Sequence, residues 1–392
     1  MAVWFSSAAV IALIQAEQVV APSSAAWLTG AVQAGFVLGT VCSALLSLAD
    51  RFDPRRLFTG SALVAAAATA TLAFLPPTGP AAMVLRLVTG MCMAGVYPVG
   101  MRLAATWARP SVGARPGTGG DLGLLIGLLV GALTLGSASP HLLGAIPGLD
   151  WRDVYLATSL LAAACGLGIN LAGVGPNITR AARIDIARMA QAWRNPPLRL
   201  ANLGYLGHMW ELYAMWAWIG AFLLSSFTAS GMGSPSAGAE AAAFGAVAIG
   251  ALGAWGGGVL ADRIGRTRVT IGALLTSAAC ALLIGWLHGG PPVLLVVVAL
   301  VWGVAVIADS AQFSAAITEL AEPGSVGTLL TVQTCAGFLL TLASIHLVPY
   351  VVALAGWSGA FSLLAVGPVL GAVAMARLRR HPAAVRLAGG RR

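Results

Sequence analysis

The stretch GGGVLADRIGRTR, residues 256–268, gathers Asp262, Arg263, Arg266 and Arg268 within seven positions of a chain whose charged residues make up only 9% of the sequence. An eroded copy, LLSLADRFDPRRL, occupies residues 45–57, so the string LADR stands at 48–51 and again at 260–263. Both copies are flanked by long apolar runs. A charged turn used twice in an otherwise uncharged chain asks what kind of molecule needs it in two places.

Composition narrows the answer. The 392 residues are 58% hydrophobic with a mean hydropathy of +0.87, whereas a soluble domain carries about a quarter charged residues. Such a chain cannot cover its apolar surface in water, so the bilayer must act as its solvent. Barrel strands alternate apolar and polar residues over about ten positions. The runs here are continuous over roughly 20, the length a helix needs to cross hydrocarbon. The expectation is an all-α integral membrane protein.

Apolar runs lie near 25–49, 57–75, 81–107, 118–139, 153–174, 201–228, 240–261, 268–288, 292–316, 324–350 and 354–378. Residues 2–14 are read as a short helix 1 whose cytoplasmic end is missing, because they lack the basic lead of a signal peptide. That makes twelve helices. All 22 basic residues are arginine, and with both ends cytoplasmic nearly all of them fall on one side. Arg51, Arg55, Arg56, Arg109, Arg115, Arg180, Arg183, Arg188, Arg194, Arg199, Arg263, Arg266, Arg268 and the tail arginines are inside, and Arg152 is outside. This is the positive-inside pattern of a multi-pass protein of the cell inner (plasma) membrane with both ends cytoplasmic. It is not a nucleic-acid face. The absence of lysine excludes a P-loop and a lysine Schiff base. The five cysteines sit singly in apolar runs, so neither a metal site nor a disulfide framework is expected, and no cofactor is implied. The polar stretch 175–200 divides the chain into bundles 1–174 and 201–378, followed by a basic tail, 379–392.

With the two LADR turns placed after helices 2 and 8, the chain resembles the major facilitator superfamily, whose loop motif reads G-x-L-A-D-R-x-G-R. Gly258, Leu260, Ala261, Asp262, Arg263, Gly265 and Arg266 match it, while the first copy keeps Asp50 and Arg51 but has Leu46 and Asp53 in place of glycines. Arg86, Gly90 and Gly95 echo the family's R-x-x-x-G pattern in helix 4. The resemblance implies two pseudo-symmetric six-helix halves with a substrate path between them, and a cytoplasmic latch at the charged turns. A tight turn explains Gly265, close helix approach Gly258, and a helix N-terminus would attract Asp262. The competing reading is a solvated turn that merely obeys the positive-inside rule. Helix 5 lacks the drug-antiporter glycine-proline signature and offers Gly123, Gly127, Gly131 and Gly136 as a packing face.

Chemistry is sought among the charges inside the membrane. In helix 7, Tyr205, His208 and Glu211 recur at i, i+3 and i+6 on one face. Glu211 stands near midplane, where desolvation opposes its charge and suits it to carry a proton. In helix 10, Asp309 and Gln312 form a polar cluster with Ser310 and Ser314. Arg86 is the buried cation of helix 4. Asp121, Gln33, Gln333 and His346 are weaker candidates, and Glu17 is assigned to an outer loop. Segments 7 and 10 resemble a bacterial branch loosely labelled nitrate/nitrite or cyanate permease, yet helices 2 and 8 lack the arginines of true nitrate carriers. The expected function is a monomeric secondary transporter moving a small solute by alternating access with protons. A small-anion permease or an efflux antiporter stands second. A membrane enzyme or a scaffold stands behind them, since no prenyl-transferase, rhomboid-like or H-E-x-x-H motif is present.

Overall fold

The computed structural model describes residues 1–17, 20–46, 48–107, 122–176, 186–322 and 324–391. Asp121, Arg109, Arg115, Arg180 and Arg183 lie outside the described residues, as does the Asp50 side chain. Nine helices among the described residues are long and apolar enough to cross a bilayer. The last of these, Val326–Arg380, breaks at Gly356 (φ 67°, ψ −175°) into helices 11 and 12. Helix 1, Ala2–Glu17, and helix 3, Pro54–Leu72, complete the set of twelve.

The remaining spans are helix 2 (Pro22–Leu45), helix 4 (Pro80–Met93 and Tyr97–Ala105), helix 5 (Leu122–Gly144) and helix 6 (Trp151–Gly168). Then come helix 7 (Pro196–Ala229), helix 8 (Pro235–Ala248 and Gly250–Ile264), helix 9 (Arg266–Trp286) and helix 10 (Pro292–Ala308 and Ser310–Leu320). Leu160, Leu171, Phe74, Trp286, Val293 and Leu354 remain highly exposed. Large apolar side chains facing outward are tolerable because the surrounding solvent is lipid.

Two prolines inside helices find substitutes for the hydrogen bonds they remove. Pro140 cannot donate to Gly136, and the Ser139 hydroxyl donates to that carbonyl at 2.8 Å instead. Pro349 leaves the Ile345 carbonyl free, and Trp218 Nε1 from helix 7 donates to it at 3.0 Å. Each repair keeps a helix continuous across a position that would otherwise break it. Helix 5 therefore runs past the expected stop at 139, and helix 8 begins five residues before the expected 240.

Close helix pairs repeat in the two parts of the bundle. A Cβ on Gly90 of helix 4 would collide with the Val32 carbonyl of helix 2, and one on Gly303 of helix 10 with the Ala246 carbonyl of helix 8. Backbone-to-backbone packing through small residues substitutes here for the hydrophobic effect, which is absent between helices in lipid. Helix 7 is the core element: Tyr205, His208, Glu211, Tyr213, Trp216 and Trp218 on it are all buried.

Candidate functional site

The charged turn between helices 8 and 9 is built as expected at Gly265, whose φ of 103° only glycine adopts readily. Arg266 then starts helix 9 and reaches helix 10. Its Nε donates to both Glu319 oxygens at 2.9 Å, Nη2 to Oε1 at 2.7 Å, and Nη1 to Gln312 Oε1 at 2.8 Å. Gln312, expected in a cavity, is thus a ligand of this turn. Glu319 belongs to the last turn of helix 10.

Two expectations for this turn are corrected. Gly258 has no atom within 4 Å of the position a Cβ would take, whereas Gly257 lies against the Ala308 backbone. The helix contact needs the neighbouring glycine, because one residue rotates the helix face by about 100°. Asp262 caps no helix; it is 72% exposed and 3.8 Å from Arg266. Arg263 is also exposed. The tail joins the cluster: Ala388 N–H donates to Glu319 Oε2 at 3.1 Å, Arg386 to the Ala321 carbonyl at 3.2 Å, and Arg391 to the Asp262 carbonyl. All these partners come from helices 8–10 and the tail.

The first copy departs from the motif for a local reason. Asp53 replaces the glycine and caps helix 3, its carboxylate accepting from Arg55 N–H at 2.8 Å and pairing with the Arg55 guanidinium. That hydrogen bond holds the Asp53 carboxyl down at about 2. Arg51 beside it is exposed.

Within the bundle, Glu211 is 1% exposed. Its Oε2 accepts from Ser277 of helix 9 at 2.7 Å and its Oε1 from Trp302 of helix 10 at 2.8 Å. Trp302 Nε1 also lies 3.1 Å from the Ser277 hydroxyl, closing a three-residue network. None of the ion pairs among the described residues includes Glu211. One turn away, His208 Nδ1 stands 2.9 Å from Asp309 Oδ1, both 1% exposed. That oxygen nevertheless lacks a well-directed hydrogen bond, so the two groups are in close but off-line contact. Asp309 sits where helix 10 breaks into its two pieces. The Tyr205 ring lies tilted 6.1 Å from His208 and edge-on 6.0 Å from Phe313, and Gly337 of helix 11 leaves space for it. The i, i+3, i+6 face of helix 7 is therefore real, and it looks onto helices 9, 10 and 11.

Arg86 is fully buried, and its guanidinium is engaged by backbone. It donates to the carbonyls of Leu28 (2.9 Å), Val3 (2.7 Å) and Trp4 (2.6 Å), and to Ser6 Oγ (3.2 Å). The arginine ties helix 1 to helices 2 and 4. Gln33 accepts from Trp4 Nε1 at 3.1 Å, and Gln333 donates to Asn202 at 3.1 Å. Glu17 accepts from Trp151 Nε1 at 2.9 Å.

Aromatic rings fill the seam between helices 1 and 2 on one side and helices 7 and 11 on the other. Trp4 lies 5.5 Å from Phe338, Phe36 4.5 Å from Phe338, and Phe5 5.7 Å from Tyr213. The residues that sequence reasoning missed are Ser277, Trp302, Glu319, His141 and Glu240. The last two form a buried pair, Nδ1 to Oε2 at 2.6 Å. Its signal was a single histidine in helix 5 and a single carboxylate in the first piece of helix 8, each without another charged residue beside it.

Twelve membrane helices, close-packed glycine pairs repeated in both parts and a charged turn after helix 8 define a multi-pass membrane transporter fold. The family model described as Major Facilitator Superfamily matches residues 1–339, and the chain belongs to that family. Solved structures agree on the fold. The nucleoside transporter NupG is 15% identical with a TM-score of 0.69, covering 96% of this chain and 95% of that one. A D-xylose-proton symporter is 14% identical with a TM-score of 0.70, covering 95% and 94%. No curated protein matches the chain.

Proposed function

We propose that the protein is a proton-coupled secondary transporter moving a small solute by alternating access between halves 1–174 and 201–378. Segment 175–200 is the cytoplasmic linker, 379–392 the cytoplasmic tail, and the arginine-rich face the cytoplasmic one, on the positive-inside argument. The observation that carries the reading is Glu211, a membrane-buried carboxylate held by two neutral donors, Ser277 and Trp302. An unpaired charge at that depth is costly, so a proton is its natural partner, and loading or losing it changes what the site holds. The His208–Asp309 pair, at the break in helix 10, is the second protonatable element.

The aromatic seam of Trp4, Phe36, Tyr213 and Phe338 is the solute path in its closed form. The anion-permease reading loses its main residue, because Arg86 already donates to three carbonyls and a hydroxyl.

The test is reconstitution with a pH dye inside the vesicles. Small anions, metabolites and drugs are first ranked by thermal shift, and those that stabilise the protein are added outside. The native protein is expected to move protons with solute. Glu211→Gln should retain solute exchange and lose gradient-driven accumulation; accumulation that survives in Glu211→Gln overturns the assignment.

A further inference from the structure

The His141–Glu240 pair joins helix 5 to helix 8 at the end of the bundle opposite the Asp262–Arg268 turn. His141 lies one turn from the end of helix 5, and Glu240 in the second turn of helix 8. Their side chains are 1% and 2% exposed and 2.6 Å apart. Helix 7 is shaped around them. A Cβ on Gly220 would stand 3.2 Å from His141 Cε1 and 3.4 Å from Glu240 Oε1, and one on Gly144 would stand 3.4 Å from Oε2. His141 Nε2 is buried with no hydrogen-bond partner.

Helix 11 takes the place of helix 5 in the second half, and it too carries a histidine near the same end. His346, however, meets the Trp27 ring at 4.5 Å and the space left by Gly30, and its Nδ1 bonds the Leu342 carbonyl at 2.7 Å. One seam between the halves is thus closed by a titratable pair and the other by an aromatic contact. The packed neighbours add no competing charge. The first piece of helix 10 carries no ionisable side chain, and the second half of helix 7 only Tyr213, whose ring packs in the aromatic seam. Glu17 of helix 1 is taken by Trp151, and Asp150, Arg152 and Asp153 of helix 6 bond one another or Glu17. On helix 7 itself, Glu211 and His208 are engaged by helices 9 and 10.

We propose that His141 and Glu240 are a proton-binding clasp that holds the two halves together at this end when it contains one proton. With one proton, the pair is either imidazolium–carboxylate or imidazole–carboxylic acid, and both forms attract. A second proton, taken from the water at that end, leaves imidazolium facing a carboxylic acid. Loss of the first leaves a neutral imidazole whose Nδ1–H can still reach the carboxylate, but without the attraction of opposite charges and with a buried negative charge left uncompensated. Either change weakens the clasp, so closure follows a bell-shaped pH dependence. The proposal rests on alternating access between the halves, and it adds a proton site separate from Glu211.

The test uses the full chain in nanodiscs without solute or gradient, its five cysteines replaced by serine and spin labels placed at the exposed positions Ile146 and Ser236. Pulsed electron resonance reads their separation from about pH 4 to about pH 9, a range that spans free Glu and His. The short-distance population is expected to peak within that range and fall about threefold toward both ends. His141→Gln/Glu240→Gln, which keeps a hydrogen-bonding pair without ionisable groups, should give a pH-independent population. Where that variant does not fold, Glu240→Gln alone should abolish the alkaline arm. A pH-independent distance in the native pair, or an unchanged response in either variant, overturns the clasp. Since neither solute nor gradient enters the measurement, its outcome is independent of the Glu211→Gln experiment.

Discussion

Arg266 grips Glu319 through three hydrogen bonds of 2.7–2.9 Å, and the two residues belong to helices 9 and 10 of the same half. The charged turn is therefore a brace within helices 8–10, with the tail folded onto it. Glu319→Ala would leave a partly buried guanidinium without its carboxylate. A loss of about 1–3 kcal/mol is expected, read as a lower melting temperature by fluorimetry. Trypsin should then cut at Arg386 and Arg391 faster than in the native protein.

Adjacent glycines give a sharp contrast. Gly257→Ala should destabilise by about 1–3 kcal/mol through overpacking against helix 10, since its Cβ would meet the Ala308 backbone. Gly258→Ala meets open space, and helix propensity predicts a gain of up to about 1 kcal/mol. Opposite shifts in melting temperature are the expected result.

The Glu211 network makes a stability prediction separate from transport. Glu211→Gln keeps size and acceptor, and should melt close to the native protein. Glu211→Ala leaves Ser277 and Trp302 with only the bond between them and should lose about 1–3 kcal/mol, with Trp302 fluorescence altered in both variants.

Arg86→Lys tests anchor against substrate cation. An ammonium cannot reproduce the planar fork that spans three carbonyls. Loss of a melting transition by about 3 kcal/mol or more is expected, while the apparent affinity of whatever protein folds stays unchanged.

Asp53→Ala removes the cap of helix 3, for a cost of about 1 kcal/mol at neutral pH. The carboxyl is held at about 2 by Arg55 in the fold, against about 3.9 in an unfolded chain. A depressed value means its contribution is complete above the unfolded value and disappears as pH falls through the folded one. The melting difference between native protein and Asp53→Ala should therefore narrow between about pH 4 and about pH 2.

The class of fold was legible because hydropathy and arginine placement follow directly from the bilayer. The face of Tyr205, His208 and Glu211 was legible for the same kind of reason, since helical spacing alone puts them together. Their partners were not, because Ser277 and Trp302 are ordinary residues whose role depends on which helices become neighbours. Glu240 escaped notice because the start of helix 8 lay five residues earlier than its hydropathy indicated. His141 escaped because Pro140 reads as a stop until Ser139 is seen to replace the lost bond. Gln312 looked like a cavity residue because nothing in its own helix announces an arginine arriving from helix 9.

Gly356 fixes how helices 11 and 12 are joined. With a single left-handed residue between them, helices 11 and 12 have no slack to share. Helix 11 meets helix 2 through Phe338 and His346, so any displacement it receives there is handed at once to helix 12 on the lipid side. The pair acts as a stiff lever with its corner at one glycine, and an inserted flexible linker at that corner would uncouple the seam from the outer wall of the protein.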